Sequence, residues 1–451
     1  MEWGRGLNDG AAAEVTGDGL DEPRDRYPDA LRAGALLVVV LGHWIATLPR
    51  LEGGRVVGTE HLLRIWESAG ALTWVVQVVP LFVFVSAAVS ADGVARRLAD
   101  GQRQRHWWAG RALGLARPTV TYLAVLAALA LGALVGGGRL LASFDTSLTV
   151  HLWFLAMLLG VQALLPWCVR ADRRFGLKAV AALVAMAAAA DLLRAGVRTP
   201  GDLLELGAHV SANPGGFGWL NMLLVWLVPQ QLGIAWKRGR FAGPWAGAGL
   251  LMLGVAWLLA AIASGYPVAM VGVGLAGNNM LPPTLALVGV MWLQVGLVLL
   301  AERPARRFLA GHSVARAVAV LGALGMPLYL WHKLVELPAA WLGERLGVPI
   351  DAGDPGMAGF WTGRLLWILL CALMVAPVMA AVVGFEMRRR RDVAAATGTG
   401  AIVAGGLALL GGLAASLALG AWPGALIGLA LVGVASWLLR ARPRPAPGAR
   451  E

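Results

Sequence analysis

Features of a soluble protein are what this sequence has least of. Charged residues make up only 14% of a 451-residue chain, against roughly a quarter in soluble domains, which excludes two or three ordinary soluble domains. The two cysteines, Cys168 and Cys371, both fall in apolar runs, so no disulfide framework is implied. Lysine is nearly missing: of 38 basic residues only Lys178, Lys237 and Lys333 are lysines. With so much alanine and glycine, this is the composition expected of a GC-rich, bacterial genome. Walker A, HExxH and CxxC motifs are absent, so a P-loop ATPase and a structural zinc site have no support. No basic segment precedes a short apolar core at the start of the chain, so a cleaved signal peptide is not expected.

Long apolar runs are what the chain has instead. Hydrophobic residues are 58% of it, and the runs recur from Leu31 to Leu439, which implies an all-α, polytopic transmembrane bundle. Hydropathy places twelve spans at 33–49, 70–91, 118–136, 150–168, 177–193, 219–236, 244–263, 283–300, 317–336, 364–385, 398–418 and 421–439. Loop charge tests this map. Assigned alternately to the two sides, 29 Lys and Arg fall on one side and 8 on the other, with Lys333 inside a span. That split predicts both termini in the cytoplasm of a cell-membrane protein. It also accounts for the net charge of +12 without nucleic acid, for which there is no RNP motif, zinc-finger spacing or basic helix. Arg388–Arg391 reads as a topology anchor. Of the twenty tryptophans, many lie near span ends as interfacial anchors. Gly272-Val-Gly274-Leu-Ala-Gly277 matches GxGxxG, but it follows a membrane helix rather than a strand, so it is no nucleotide fingerprint.

Within the first span, Arg32 and His43 are eleven residues apart. At ~100° per residue they share one helix face, separated by about 16 Å along the axis. Arg32 marks the cytoplasmic edge, and His43 is expected near mid-membrane or slightly beyond. An ionisable group at that depth is a functional candidate, and imidazole suits proton transfer near neutral pH. The structural alternative is a neutral imidazole bridging two helices.

Asp29, Arg32 and His43 together resemble the signature of the acyltransferase 3 family of membrane acyltransferases. Further segments resemble the family in order: Pro80-Leu-Phe-Val-Phe-Val-Ser86, His151-Leu-Trp153-Phe-Leu, Leu328-Tyr329-Leu-Trp331-His332 and Phe385-Glu386. The likeness covers roughly residues 26–390. The chain departs from it at Ala87, where the family has glycine, and at Gly114, where the second arginine of an R-x-x-R beginning at Arg111 would stand; Arg117 or Arg105 is the substitute. On this reading residues 1–28 are a polar acidic cytoplasmic tail and 29–392 a ten-helix acyltransferase core. Residues 393–440 form two additional helices with no legible role, and 441–451 a basic, Pro-rich cytoplasmic tail.

The resemblance implies transfer of an acyl group, commonly acetyl, from acyl-coenzyme A to a hydroxyl of an extracytoplasmic glycan, glycolipid or metabolite. No permanently bound cofactor or metal is expected, and membrane lipid is the surrounding partner. His43, Arg32 and His332 are the catalytic candidates, with His43 as general base or as an acyl-carrying nucleophile. Arg111 and Arg117 abut a span beside a loop rich in arginine and are the candidates for the donor phosphates. His151, Trp153, Tyr329 and Ser86 are the acceptor-binding candidates, with interfacial anchoring or packing as the alternative for each. Asp191, at a helix end, is expected to be solvated, and Glu386 to pair with the arginines after it. The competing functions are a proton-coupled exporter on the same bundle and an envelope sensor. Few ionisable residues lie within the spans and no broken-helix repeat is visible, which favours the enzyme.

Overall fold

The computed structural model describes residues 25–440 except 102, 214, 273–277, 352, 390–394 and 397. The chain termini, most of Gly272–Gly277, and Arg390 and Arg391 therefore lie outside the described residues. Each predicted span contains a helix. Ten helical stretches are long and apolar enough to cross a membrane among the described residues, and the all-α, multi-pass architecture holds.

Helix α1 (Tyr27–Ala46) starts with Pro28 in its first turn, where the missing N–H costs nothing. It leads directly into an antiparallel hairpin, β1 (Thr47–Glu52) and β2 (Arg55–His61), in which Thr47 pairs with His61 and Leu51 with Val56. The turn is Gly53-Gly54, both at positive φ, the dipeptide that hairpins favour. Beyond it run α2 (Val79–Ala99) and the long α3 (Gln104–Gly136). The start of α3 carries Arg105, Arg111 and Arg117. Its far end passes into α4 (Arg139–Val150), where Arg139 donates to the Val56 carbonyl and pairs with Glu344 at 2.8 Å. The bundle thus has a hairpin end and, opposite it, an arginine-bearing end.

The fourth predicted span, 150–168, is interrupted. It is built from α5 (Trp153–Ala163) and α6 (Leu165–Phe175), and α7 (Lys178–Ala195) leaves α6 at 119°. Next come α8 (Asn221–Lys237), α9 (Ala246–Ala263) and α10 (Ala286–Leu309). Glycine lets these helices approach closely: a Cβ at Gly254 of α9 would lie 2.4 Å from Leu293 N of α10. One at Gly233 of α8 would lie 2.0 Å from the Phe84 carbonyl of α2. Small residues are how membrane helices gain contact where no hydrophobic force drives them together.

The ninth predicted span, 317–336, also breaks. Helix α11 (His312–Trp331) ends at Trp331, a turn covers His332–Val335, and α12 (Glu336–Leu346) starts with Pro338 in its first turn. Helix α13 (Phe360–Arg389) completes the core. The two helices beyond it, α14 (Thr399–Leu419) and α15 (Ala425–Leu438), fold back on each other, with Ala396 N bonded to the Leu439 carbonyl at 2.7 Å. This pair lies on α3, where Gly406 faces Trp108. At its tip Ala421 N donates to Asp145 of α4 at 2.7 Å.

Two expectations change. The first predicted span, 33–49, stops being helical at Ala46, so His43 lies in the last turn of α1, three residues from its end. Strand β1 begins where the hydropathy run still looked helical, because Pro49 and the paired strand after the Gly-Gly turn take the chain out of the helix. Asp191 is not solvated; it is fully buried. Asn221 Nδ2, Tyr266 Oη and Leu285 N all donate to its carboxylate at 2.8–2.9 Å, with Arg194 at 3.8 Å. A carboxylate with three donors and a cation no longer needs water.

Candidate active site

The break between α11 and α12 brings His332 against the last turn of α1. His43 Nδ1 and His332 Nε2 lie 2.7 Å apart, with the rings nearly parallel. On its other side His332 Nδ1 is 2.7 Å from the carbonyl oxygen of Tyr329. A carbonyl only accepts, so His332 Nδ1 carries the proton and donates to it. In the neutral pair His332 Nε2 is then an acceptor, His43 Nδ1–H donates to it, and the lone pair remains on His43 Nε2. His332 is fully buried, whereas His43 is only partly so. Trp44 Nε1 donates to the His332 carbonyl at 3.0 Å, which fixes the two backbones relative to each other.

An aromatic wall surrounds the pair. His151, 1% exposed, sits at the junction of α4 and α5 with its ring centroid 5.4 Å from that of His332. Tyr329 Oη donates to the His151 carbonyl, and Tyr122 packs edge-on against both His151 and Trp331. The His151 ring nitrogens have no well-aligned hydrogen bond, although the Leu330 backbone lies beside them. Trp153 packs against Trp226 and Phe154, deeper among the aromatic side chains.

Beside the histidines lies a buried ion pair. Lys333 Nζ donates to Glu336 Oε1 at 2.6 Å and to Thr47 Oγ1 at 3.0 Å, and Thr47 Oγ1 donates to the His43 carbonyl at 2.9 Å. Arg364 of α13, also buried, donates to the carbonyls of Thr47 and Ile45. At the end of β2, burial and then the charges of Lys333 and Arg64 push His61 down to about 4, and His61 Nδ1 accepts from Leu63 N at 3.2 Å.

The arginine-bearing end is separate. Arg32 pairs with Asp29 at 3.5 Å. Arg111 Nη2 donates to Ser90 Oγ at 2.8 Å, its guanidinium lies over Trp107, and it is within Coulombic reach of Arg32. Arg111 keeps an exposed face. Arg117 is one residue before Pro118 inside α3, and Arg105 lies in that helix's first turn. Between the two ends Ser86 Oγ accepts from Gln162 Nε2 at 2.7 Å, which joins α2 to α5. Glu386 accepts from Thr121 Oγ1 at 2.6 Å. Among the described residues no group of His, Cys, Asp and Glu is arranged to hold a metal ion.

The family model described as an acyltransferase domain, that of the acyltransferase 3 proteins, matches residues 25–383, most of the chain. The chain belongs to the acyltransferase 3 family. No curated protein and no solved structure matches it. As an acyltransferase 3 protein it is a multi-pass membrane acyltransferase. The matched region ends before the α14–α15 pair.

Of the nine site residues expected from sequence, the structure of this acyltransferase gathers His43, His332, His151 and Tyr329 around one point. It places Arg32 and Arg111 near each other at the opposite end, sets Trp153 and Ser86 between, and leaves Arg117 further along α3, six residues beyond Arg111. Sequence reading passed over Thr47, Tyr122, Lys333, Glu336 and Arg364. Lys333 and Glu336 carried a signal, since two opposite charges three residues apart flank an apolar Leu-Val beside His332. Tyr122 carried none, being one aromatic in an apolar run.

Proposed function

We propose that this acyltransferase moves an acyl group, acetyl in the first instance, from cytoplasmic acyl-coenzyme A to a hydroxyl of an extracytoplasmic acceptor. The hydrogen bond between His43 and His332 carries this reading. It leaves His43 Nε2 as an unprotonated nitrogen on a partly buried side chain beside an aromatic cluster, which is what a general base requires. The acceptor hydroxyl gives its proton to His43 Nε2 as its oxygen attacks the thioester carbonyl. The C–O bond forms, the C–S bond breaks, and the same proton passes to the departing sulfur, which leaves as the free thiol of coenzyme A. His332 receives the Nδ1–H of His43 and stabilises the imidazolium while it exists.

Donor binding is assigned to the other end. Arg111, with Arg117 and Arg32 near it, presents guanidinium groups that suit the phosphates and pyrophosphate of coenzyme A. Arg32 and His43 are about 16 Å apart along α1, a distance for the extended pantetheine arm to cover. By the charge split between loops, the arginine-bearing end faces the cytoplasm and the hairpin end faces outward in the cell membrane, with both termini inside. The acceptor is a carbohydrate, glycolipid or hydroxylated metabolite. His151, Tyr329, Trp153 and Ser86 are the candidates to contact it, since aromatic faces with polar tips suit amphipathic hydroxylated ligands.

The test uses membranes containing the protein and acetyl-coenzyme A labelled in the acetyl group. Label is expected to appear, ester-linked and alkali-labile, in an envelope fraction, with one free thiol released per ester formed. A proton-coupled exporter would neither consume the donor nor label any acceptor, and that result with several acyl donors would overturn the assignment.

A further inference from the structure

The ion pair of Lys333 and Glu336 is the least expected feature of the bundle. Both side chains are buried, at 3% and 0% exposure, where removing charge from water costs more than pairing usually returns. Such a pair is poor evidence for stability, and an ionisable group within an apolar bundle asks for a functional reason. Its connections supply one. Lys333 directly follows His332, so its main chain is that of the second histidine. Its ammonium bridges Glu336 to Thr47, and the Thr47 hydroxyl goes on to the carbonyl of His43. That carbonyl lies in the last turn of α1 and accepts two hydrogen bonds from Thr47, the helical one from its backbone N–H and a second from its hydroxyl. Arg364 holds the Ile45 and Thr47 carbonyls on either side of Ala46.

We propose that Thr47, Lys333 and Glu336 are positioning residues that clamp the end of α1 to the α11–α12 break and so hold His43 Nδ1 against His332 Nε2. This rests on the reading of His43 as the base. The clamp reaches His43 through its backbone and leaves the ring free, so it sets where the imidazole stands without competing for its nitrogens. The pairing also makes the clamp neutral as a whole: one ammonium and one carboxylate, side by side, beside histidines that must exchange a proton. Neither member touches the arginine-bearing end, so the clamp acts on the chemical step and not on donor binding.

The experiment measures maximal rate and apparent KM for acetyl-coenzyme A in membranes, using the full chain. Thr47→Val is nearly isosteric and removes only the hydroxyl. It is expected to lower the maximal rate about tenfold while leaving the donor KM within about twofold. Thr47→Ser, which restores the hydroxyl, is expected to recover the rate. In a His332→Ala background Thr47→Val is expected to cost nothing further, because the contact it serves is already gone. The double variant Lys333→Met/Glu336→Met, apolar and charge-neutral, is expected to accumulate normally and show the same loss in rate. An unchanged maximal rate in Thr47→Val, a loss that multiplies with that of His332→Ala, or a fully active double variant would overturn the clamp. Loss of activity in His43→Ala together with an unaffected Thr47→Val sinks the clamp alone, whereas an active His43→Ala sinks the base assignment beneath it.

Discussion

His332 Nδ1 lies 2.7 Å from the carbonyl oxygen of Tyr329, and that one bond decides which nitrogen of His43 is free. Because the carbonyl can only accept, the protons of the pair are arranged in one direction, from His43 through His332 to the main chain. Removing the second imidazole should therefore disable the first without touching it. His332→Ala is expected to lower the maximal rate of acyl transfer about 10²-fold or more, with the donor KM little changed. A KM effect in place of a rate effect would place His332 in binding instead.

Arg111 is expected to act on the donor. Its guanidinium is fixed by Ser90 and Trp107 while keeping an exposed face. Arg111→Ala should raise the KM for acetyl-coenzyme A about tenfold or more, in line with the loss of a charge-assisted hydrogen bond. Titration of initial rate against donor checks this, and Arg111→Lys should recover part of the loss because it keeps charge but not the planar fork.

Asp191 is expected to matter for folding and not for chemistry. It collects donors from α8, from the segment after α9 and from the start of α10. Asp191→Ala leaves those donors buried and unpaired and should cost about 3–5 kcal/mol of stability. Thermal unfolding of the purified protein in detergent would register this, while the turnover of the molecules that remain folded should match wild type.

His61 makes stability depend on pH. Burial and the nearby charges of Lys333 and Arg64 push it down to about 4 in the folded protein, against about 6.5 when unfolded. Between those values the unfolded chain binds the extra proton and the folded chain does not, so stability rises as pH rises from 4 to 6.5. Acidification through that window should lower the melting temperature, and His61→Gln should flatten that part of the profile. A slope unchanged in the variant would assign the effect to other groups.

The long apolar runs were enough to read an all-α, multi-pass bundle, because a chain crossing a membrane as helices must be apolar along each span. The breaks within spans were not legible, since hydropathy is blind to where a helix stops. Leu164 lies in sequence that stays apolar across the break, and the few polar residues at His332–Glu336 and after Ala46 do not pull an averaged window below the threshold for a span. The Gly53-Gly54 turn was a readable hairpin signal, overshadowed by the hydropathy of the first span. His43, His332, His151 and Tyr329 were found singly, by residue type and resemblance, but their convergence depends on the turn at His332–Val335. Lys333 was dismissed as a charge inside a span, and Asp191 as a charge at a helix end. Each has an opposite charge three residues away, Glu336 for Lys333 and Arg194 for Asp191, but the contacts that tie them into the bundle, Thr47 and Leu285, are distant in sequence.

In the proposed mechanism His43 Nε2 takes the acceptor proton during acyl transfer. The most direct measurement is the initial rate of label transfer from acetyl-coenzyme A to the envelope acceptor by wild type and by His43→Ala at equal abundance in the membrane. A fall of about 10²–10⁴-fold is expected in the variant, with donor binding retained. Transfer by His43→Ala at the wild-type rate would contradict it.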